Sequence, residues 1–195
     1  MEPDDKDLVR RAKEGDRYSY EVLVSRYKRK LYSVIYRMTR NHHVTDELLQ
    51  ETFLKLFTSI DTYDEQYPFY PWLHRIAVNT TINCLKKESR RQGERSLDEE
   101  MEERNVQPVE NRNPFDPEKA AQLKERDSRI LAALQEISPT YRAALVLRVF
   151  EEMSYQEIAD TLKTNIGTVM SRLNRARFQL RDLLKDYFQN GSKAQ

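Results

Sequence analysis

Apolar positions recur at three- and four-residue spacing through most of this chain, the period of a buried helix face. Leu8, Val9 and Ala12 predict a short amphipathic helix over residues 5–14, ended by Gly15. Tyr20, Leu23, Val24, Tyr27, Leu31, Ile35 and Met38 mark one face of a long second helix, broken at residues 41–44. Thr45 is then placed to cap a third, with Asp46 and Glu47 at its positive N-terminus. Leu48, Leu49, Phe53, Leu56, Phe57 and Ile60 fall inward on it, and Glu47, Gln50, Glu51 and Lys55 outward. Residues 61–72 lose the period at Pro68 and Pro71 and carry Tyr63, Tyr67, Phe69, Tyr70 and Trp72. A fourth helix is predicted over residues 72–85. Leu73, Ile76, Ala77, Thr80 and Leu85 face inward, and His74, Arg75, Asn79 and Asn83 form its polar side.

The basic run Lys86, Lys87, Arg90 and Arg91 closes that helix, after which periodicity stops. Pro108, Pro114 and Pro117, with a net charge of −5 between Glu88 and Glu118, predict a flexible acidic linker. Helical patterning resumes at Ile130, Leu131, Leu134 and Ile137. Ser138-Pro139 then reads as a helix cap with proline at the first helical position. Ser154 and Glu157 make a capping box for a short helix that buries Ile158, Ala159 and Leu162. Lys163, Thr164 and Asn165 supply a turn, and Asn165 caps a longer helix with Val169, Leu173, Ala176, Leu180 and Leu183 inward. The expected fold is all-α. Two small helical domains, residues 1–91 and 123–190, are joined by the linker of residues 92–122.

Composition narrows the class. Low glycine, 4 of 195 residues, with 33% charged residues suits helices joined by short turns. The polar start predicts no secretory leader, no apolar run reaches the ~20 residues of a membrane span, and one cysteine rules out an internal disulfide framework. The expected compartment is therefore the cytoplasm, with no membrane insertion. The total charge of +1 hides its distribution. Residues 163–185 carry a net +5, concentrated on one helix, as phosphate contact requires.

Two chemistries compete for that helix pair. Its arginines would only solvate an αα-hairpin, or the pair is a helix-turn-helix whose second helix enters a major groove. In the second case Thr168, Ser171, Arg172 and Arg175 form the reading stripe, flanked by Arg177. The aromatic loop divides in the same way. Phe69 and Trp72 suit a core, whereas rings exposed beside positive charge would stack on unpaired bases. Adjacent His42 and His43 cannot share a metal on a helix, and Cys84 reads as a small buried residue. No metal or cofactor is expected. The sequence holds no phosphate-binding glycine loop and no nucleophile–base signature, so an enzyme is not expected.

Four stretches, DELLQETFLKLF (46–57), PFYPWLHRIAVNTTINCL (68–85), SPTYRAALVLRVFEEMSYQEIAD (138–160) and IGTVMSRLNRARFQL (166–180), together resemble the extracytoplasmic-function group of the bacterial sigma-70 family. The resemblance runs from about Tyr18 to Leu184. It implies a transcription initiation factor with core RNA polymerase and promoter DNA as partners. Glu47, Gln50, Glu51, Phe53 and Lys55 would dock on the polymerase β′ coiled coil. Tyr63 and Asn79 would border a pocket for a flipped base of the −10 element. Trp72, Arg75 and Asn83 would lie beside that pocket, and Lys86, Lys87, Arg90 and Arg91 would hold the backbone. Thr168, Ser171, Arg172, Arg175 and Arg177 would contact the −35 element while the same domain rests on the β flap. The family's usual control implies an anti-sigma factor, and the free domains are expected to fold together or onto that inhibitor, hiding both DNA-binding surfaces. Lys163 stands where the family often has glycine, which predicts a less favoured backbone there. Asn165 stands where it often has proline, and Met170 where it often has a basic residue. An autonomous dimeric operator-binding regulator explains residues 138–184 equally well, but leaves the aromatic loop and the acidic ridge of residues 46–57 without a role.

Overall fold

The structure, a computed structural model, describes residues 3–95 and 129–185. Among these, every regular element is helical. Most of the expected linker and the last ten residues lie outside the described residues.

Local chemistry sets the N-terminal elements. Helix α1 (Asp5–Lys13) starts on the Asp4 side chain, which accepts from the Asp5 backbone N–H, and ends before Gly15 at φ 90°. Helix α2 (Arg17–Thr39) is capped by Asp16 and ends at Arg40 in the left-handed conformation, a position that usually takes glycine. Helix α3 (His42–Ser59) begins earlier than the pattern predicts. Asn41, not Thr45, is its cap, accepting from Val44 N at 3.1 Å. Thr45 is instead buried, its hydroxyl donating to the Asn41 carbonyl at 2.7 Å. His42 stacks on Tyr36 with ring centroids 4.5 Å apart. After a 3-10 turn (Ile60–Thr62), α4 spans Phe69–Arg95, longer than predicted at both ends. Pro71 is accommodated because it falls in the first turn, where no intrahelical donor is needed.

In the C-terminal half, residues 129–136 are helical (α5), followed by α6 (Pro139–Val149), α7 (Tyr155–Thr161) and α8 (Ile166–Leu183). Ser138 occupies the cap position of α6 without a side-chain hydrogen bond. The Ser154–Glu157 capping box is formed in both directions. Lys163 takes φ 48°, the left-handed backbone that its place between α7 and α8 demands. Asn165 caps α8 by accepting from Thr168 N at 2.8 Å.

Two cores hold these elements. One lies wholly within α1–α4 and is built on Leu23, Leu31, Ile35, Leu56 and Leu73. The second crosses between the halves: Val34 and Met38 of α2 and Val78 and Ile82 of α4 are buried with Leu134, Leu147, Ile158, Val169 and Leu173. The C-terminal domain therefore sits on α2 and α4; contrary to the expectation that both DNA-binding surfaces are hidden, Ser171, Arg175 and Arg177 of α8 stay exposed. Arg142 pins the seam. Buried in α6, it donates to the Met38 carbonyl at 2.6 Å, in the last turn of α2, where helix geometry leaves carbonyls unpaired.

Candidate nucleic-acid interface

Helix α8 presents an open face. Burial of Val169, Leu173 and Ala176 fixes its rotation, which leaves Ser171, Arg175 and Arg177 exposed and Thr168 and Arg172 half-buried. Arg175 Nη1 donates to the Tyr141 hydroxyl at 3.0 Å, which pushes the guanidinium pKa further up and aims the side chain. Leu183 departs from the expected stripe: it is exposed, and Leu184 is the buried neighbour. Ile166 and Met170, one turn apart, are exposed apolar residues on the same helix.

The aromatic loop and α4 form a second face, arranged differently from the expectation. Tyr63 is 4% exposed. Its ring meets Phe69 edge-on at 5.3 Å and Trp72 at 5.2 Å, and its hydroxyl donates to the Tyr67 carbonyl. Burial raises its pKa. Lys13 lies 5.6 Å above the Tyr63 ring and donates to the Tyr63 carbonyl at 3.0 Å. Tyr63 is thus a core ring that lines the site, and the ring that reaches solvent is Tyr67, 65% exposed. Trp72, Arg75 and Asn79 are half-buried, and Asn83, Lys86, Lys87, Arg90 and Arg91 are exposed along α4.

His74 corrects the predicted polar side of α4, being only 3% exposed. Its Nε2 has no hydrogen-bond partner, and desolvation lowers its pKa to about 4. Glu151, from the turn after α6, approaches that nitrogen at 3.9 Å. Glu151 also pairs with Arg37 of α2 at 3.0 Å, and its own pKa is raised because burial outweighs the arginine. The Arg37 guanidinium lies 5.1 Å from the Phe150 ring centroid. Asn79 faces protein as well, its side-chain amide donating to the Thr161 carbonyl at the end of α7 at 3.1 Å. Between the two domains remains a cleft of about 830 Å³, walled by the aromatic loop and the start of α4 on one side and residues 151–164 on the other.

A third face runs along α3. Glu47, Gln50, Glu51 and Lys55 are exposed as expected, but the Phe53 side chain is buried and the residue offers only core packing. Lys55 is held by Glu51 at 2.6 Å and by the Thr80 hydroxyl at 3.0 Å. The ridge continues into Leu54, 65% exposed, and Phe57, 66% exposed, which the apolar pattern had placed in part inward. Positions 47, 50, 51, 54 and 57 fall on one helical stripe. That spacing, applied to the polar residues first, exposes Phe57. Its ring meets Tyr20 edge-on at 5.6 Å.

Among the described residues, no group of His, Cys, Asp or Glu is placed to hold a metal ion, and no helix is long and apolar enough to cross a membrane. The three faces instead combine exposed cations, aromatic rings and a mixed acidic–apolar ridge, the equipment of a protein that binds macromolecules.

Two family models match this chain. The family model described as Sigma-70 region 2 matches residues 23–91, and the one described as Sigma-70, region 4 matches residues 127–180. The chain is 36% identical over 166 residues to the ECF RNA polymerase sigma factor SigE of Mycolicibacterium smegmatis, spanning 85% of this chain and 62% of that protein. It is 32% identical over 184 residues to the ECF RNA polymerase sigma factor SigW of Bacillus subtilis, spanning 93% and 97% of the two chains. Among solved structures, the sigma factor RpoE in complex with the anti-sigma factor NepR from Bartonella quintana shares the fold. Its TM-score is 0.62 at 22% identity, covering 85% of this chain and 96% of that one.

Proposed function

This chain belongs to the extracytoplasmic-function sigma factors of the sigma-70 family, and we propose that its three faces divide the work of transcription initiation among them. The α3 ridge docks on core RNA polymerase, the aromatic loop and α4 take the −10 element as a separated strand, and α8 reads the −35 element as duplex. The observation that supports this reading is the presence of all three faces on one chain. A regulator acting alone needs only the last.

On α3, Glu47, Gln50 and Glu51 meet a basic helix of the β′ coiled coil, and Leu54 and Phe57 add the apolar contact that a desolvated interface core uses. On α4, Lys86, Lys87, Arg90 and Arg91 hold phosphates by salt-sensitive attraction. Trp72, Arg75, Asn79 and Asn83 face the unpaired strand. Extruding a base costs a few kcal/mol, which a fitted pocket and stacking recover. Tyr63 supports that pocket from beneath, and Tyr67 offers the free ring. On α8, Ser171, Arg172 and Arg175 reach base edges or phosphates. One good bidentate arginine–guanine pair discriminates by roughly 1–3 kcal/mol. Binding and strand separation are the whole of this chemistry; bond formation belongs to the polymerase.

An anti-sigma factor completes the proposal. Ile166 and Met170 are exposed apolar side chains on α8, and Val149 and Phe150 are exposed at the end of α6, the kind of surface a protein partner covers. The docking assignment is tested by gel filtration of the full chain with bacterial core polymerase at moderate salt. The parent is expected to co-migrate at one chain per core. Gln50→Ala with Glu51→Ala, and separately Leu54→Ala with Phe57→Ala, are expected to weaken that association while helicity by circular dichroism stays unchanged. Unchanged association in both pairs rejects the α3 ridge. A parent chain that stays apart from core, yet shifts duplex DNA by itself, supports the autonomous regulator instead.

A further inference from the structure

Residues 63–68 of the aromatic loop belong to no helix, so bonds from other elements decide where its rings stand. Helix α1 supplies them at both ends. At its last residue, Lys13 Nζ donates to the Tyr63 carbonyl at 3.0 Å and to the Glu65 carboxylate at 3.3 Å, and it stands 5.6 Å above the Tyr63 ring. The Lys13 side chain is only 23% exposed, so its stem is packed and its ammonium is aimed. At the first turn of α1, Asp5 accepts from the hydroxyl of the buried Tyr27 and pairs with Arg26 at 2.5 Å. The Tyr27 ring then stacks on Tyr70 at 5.3 Å and meets Phe69 at 5.7 Å. Between these two anchors stands Tyr67 with its exposed ring. Leu8 and Val9 are buried in the same core as Tyr63 and Phe69, which seats α1 against both ends of the loop.

We infer that α1 is a brace for the strand-reading loop and that Lys13 is a positioning residue for −10 recognition: by fixing the Tyr63 backbone and Glu65 it sets where Tyr67 and Trp72 present their rings. The inference rests on reading the aromatic loop as the strand's site and deepens it by naming what holds that site in shape. Tyr63 transmits the effect. Lys13 holds its carbonyl, its ring packs on Trp72 at 5.2 Å, and its hydroxyl donates to the Tyr67 carbonyl. A shift at the Tyr63 carbonyl is therefore passed to both rings. A loop already ordered for its ligand loses less conformational freedom when a base enters, so the brace raises affinity and sharpens discrimination together. Lys13 also neutralises Glu65, whose carboxylate would otherwise stand unpaired beside the strand. Positioning and neutralisation are separable by substitution.

The test uses holoenzyme assembled from bacterial core polymerase and the full chain, since co-migration with core shows that each variant still folds and docks. The parent holoenzyme selects from a single-stranded DNA library randomised over a short window, and the sequence it enriches, dye-labelled, is the probe for anisotropy titrations. Lys13→Met keeps the packed stem and removes the donor. It is expected to bind that strand about tenfold more weakly, a factor equivalent to roughly 1.4 kcal/mol, and to select from the library with a flattened base preference. Lys13→Arg keeps a donor and the charge and is expected to recover most of both. In the chain alone, the sole tryptophan, Trp72, reports the loop: its emission is expected to shift in Lys13→Met and to stay in Lys13→Arg. Lys13→Met that binds with the parent's affinity and preference overturns the proposal. So does a loss with unchanged preference and a salt slope shallower by about 0.7, which makes Lys13 a phosphate contact instead. Adding Glu65→Gln to Lys13→Met is expected to leave binding weak, and a double variant restored to the parent's affinity reduces Lys13 to a neutralising charge and overturns positioning. Tyr67→Ala with Lys86→Gln, both exposed, tests the site itself. Unchanged affinity there rejects the strand-site reading and the brace with it, whereas weakened binding there beside a parent-like Lys13→Met rejects the brace alone.

Discussion

Helices α4 and α8 are written in similar language. Each is long, each buries one apolar stripe, and each carries an outward row of polar and basic residues. They end in opposite surroundings. The polar row of α8 meets solvent, and the polar row of α4 meets protein over its first half, at His74 and Asn79, before it becomes exposed at Asn83. The difference comes from what lies beyond each helix. Helix α8 is the outermost layer of its own domain, whereas α4 is roofed by a second domain whose approach its own sequence does not encode. A polar helix face specifies hydrogen-bonding capacity, and tertiary packing decides whether water or another chain segment satisfies it.

The strongest way to break that comparison is to remove the pin between the domains. Arg142 donates to the Met38 carbonyl at 2.6 Å and to the Gln135 and Ile137 carbonyls at 2.5 and 3.1 Å. Arg142→Ala leaves those acceptors buried without a donor, at an expected cost of about 3 kcal/mol. Urea denaturation measures it. Arg142→Lys is expected to recover only part of the loss, since an ammonium cannot reproduce the planar fork that reaches several carbonyls. A cost below about 0.5 kcal/mol, the level of an ordinary surface change, removes Arg142 from the seam.

Next in size is a dependence on pH that only the roofed helix has. The pKa of His74 is lowered to about 4 from 6.5, because burial penalises the imidazolium. The unfolded chain therefore binds more protons than the folded one between those values, and this contribution to stability is fully present above pH 6.5 and lost as pH falls toward 4. From pH 7.5 to pH 5 the loss is about 2 kcal/mol. Glu151 acts in the opposite sense: its pKa is raised in the fold, so it favours folding at the acid end and offsets part of the loss nearest its own range. Arg37 holds that carboxylate from the other side, at 3.0 Å. His74→Gln is expected to flatten the profile between pH 7.5 and 5. A variant with the parent's slope assigns the dependence to other groups.

The same contrast separates what the sequence discloses from what it withholds. Where the cause is local, the residues announce most of it. Ser154 with Glu157 and the Asn165 cap are formed as their spacing predicts, and Lys163 takes the strained backbone expected where a glycine is usual. Helix class, the two domains and the open stripe of α8 follow from period and charge. Two errors are local, the cap of α3, which is Asn41 and not Thr45, and the rotation of Phe57, and the others are non-local. Tyr63 is placed by the resemblance at the border of a base pocket, and nothing in its neighbourhood shows that Phe69 and Trp72 close over its ring. Phe57 is read as core because it is apolar, although the polar stripe it shares with Glu47 and Glu51 turns it outward. Phe53 is buried as its period predicts, although the resemblance also counted it with the docking ridge. Arg142 resembles any basic residue near a helix start, and nothing in its neighbourhood signals a buried bond to a carbonyl more than a hundred positions away.

The open helix makes a complementary prediction, smaller and confined to binding. Arg172→Ala and Arg175→Ala are expected to weaken binding of −35 duplex by about 1–3 kcal/mol where the side chain reads a base, with relaxed preference at one position. Where it holds a phosphate, the loss is uniform over sequences and the salt dependence becomes shallower. Arg175 is exposed, so its removal is expected to leave the urea midpoint nearly unchanged. Tyr141→Phe sharpens this further. It removes the hydroxyl that accepts from Arg175 at 3.0 Å, and so tests whether aiming the guanidinium contributes separately from its charge. A large loss of stability in Arg175→Ala contradicts the open-face description of α8.

The smallest effect lies in the turn that aims α8 against α7. Lys163 holds φ 48°, and a residue with a Cβ in that region bears roughly 1–2 kcal/mol of steric cost. Glycine removes the clash but gives the unfolded chain more freedom, which returns roughly 0.5–1 kcal/mol. Lys163→Gly is therefore expected to stabilise the C-terminal domain by about 0.5 kcal/mol, with no change in the α8 contacts. Lys163 also lines the interdomain cleft, so its loss removes a cation from the side where Glu157 and Asp160 stand. If backbone strain is the whole effect, Lys163→Asn gains part of the same stability, because asparagine tolerates the left-handed region better than lysine. If the cleft's charge matters more, Lys163→Gly and Lys163→Asn change strand affinity equally, whatever their stabilities. Measuring both quantities on both variants distinguishes a turn that merely links two helices from one that also tunes the space between the domains.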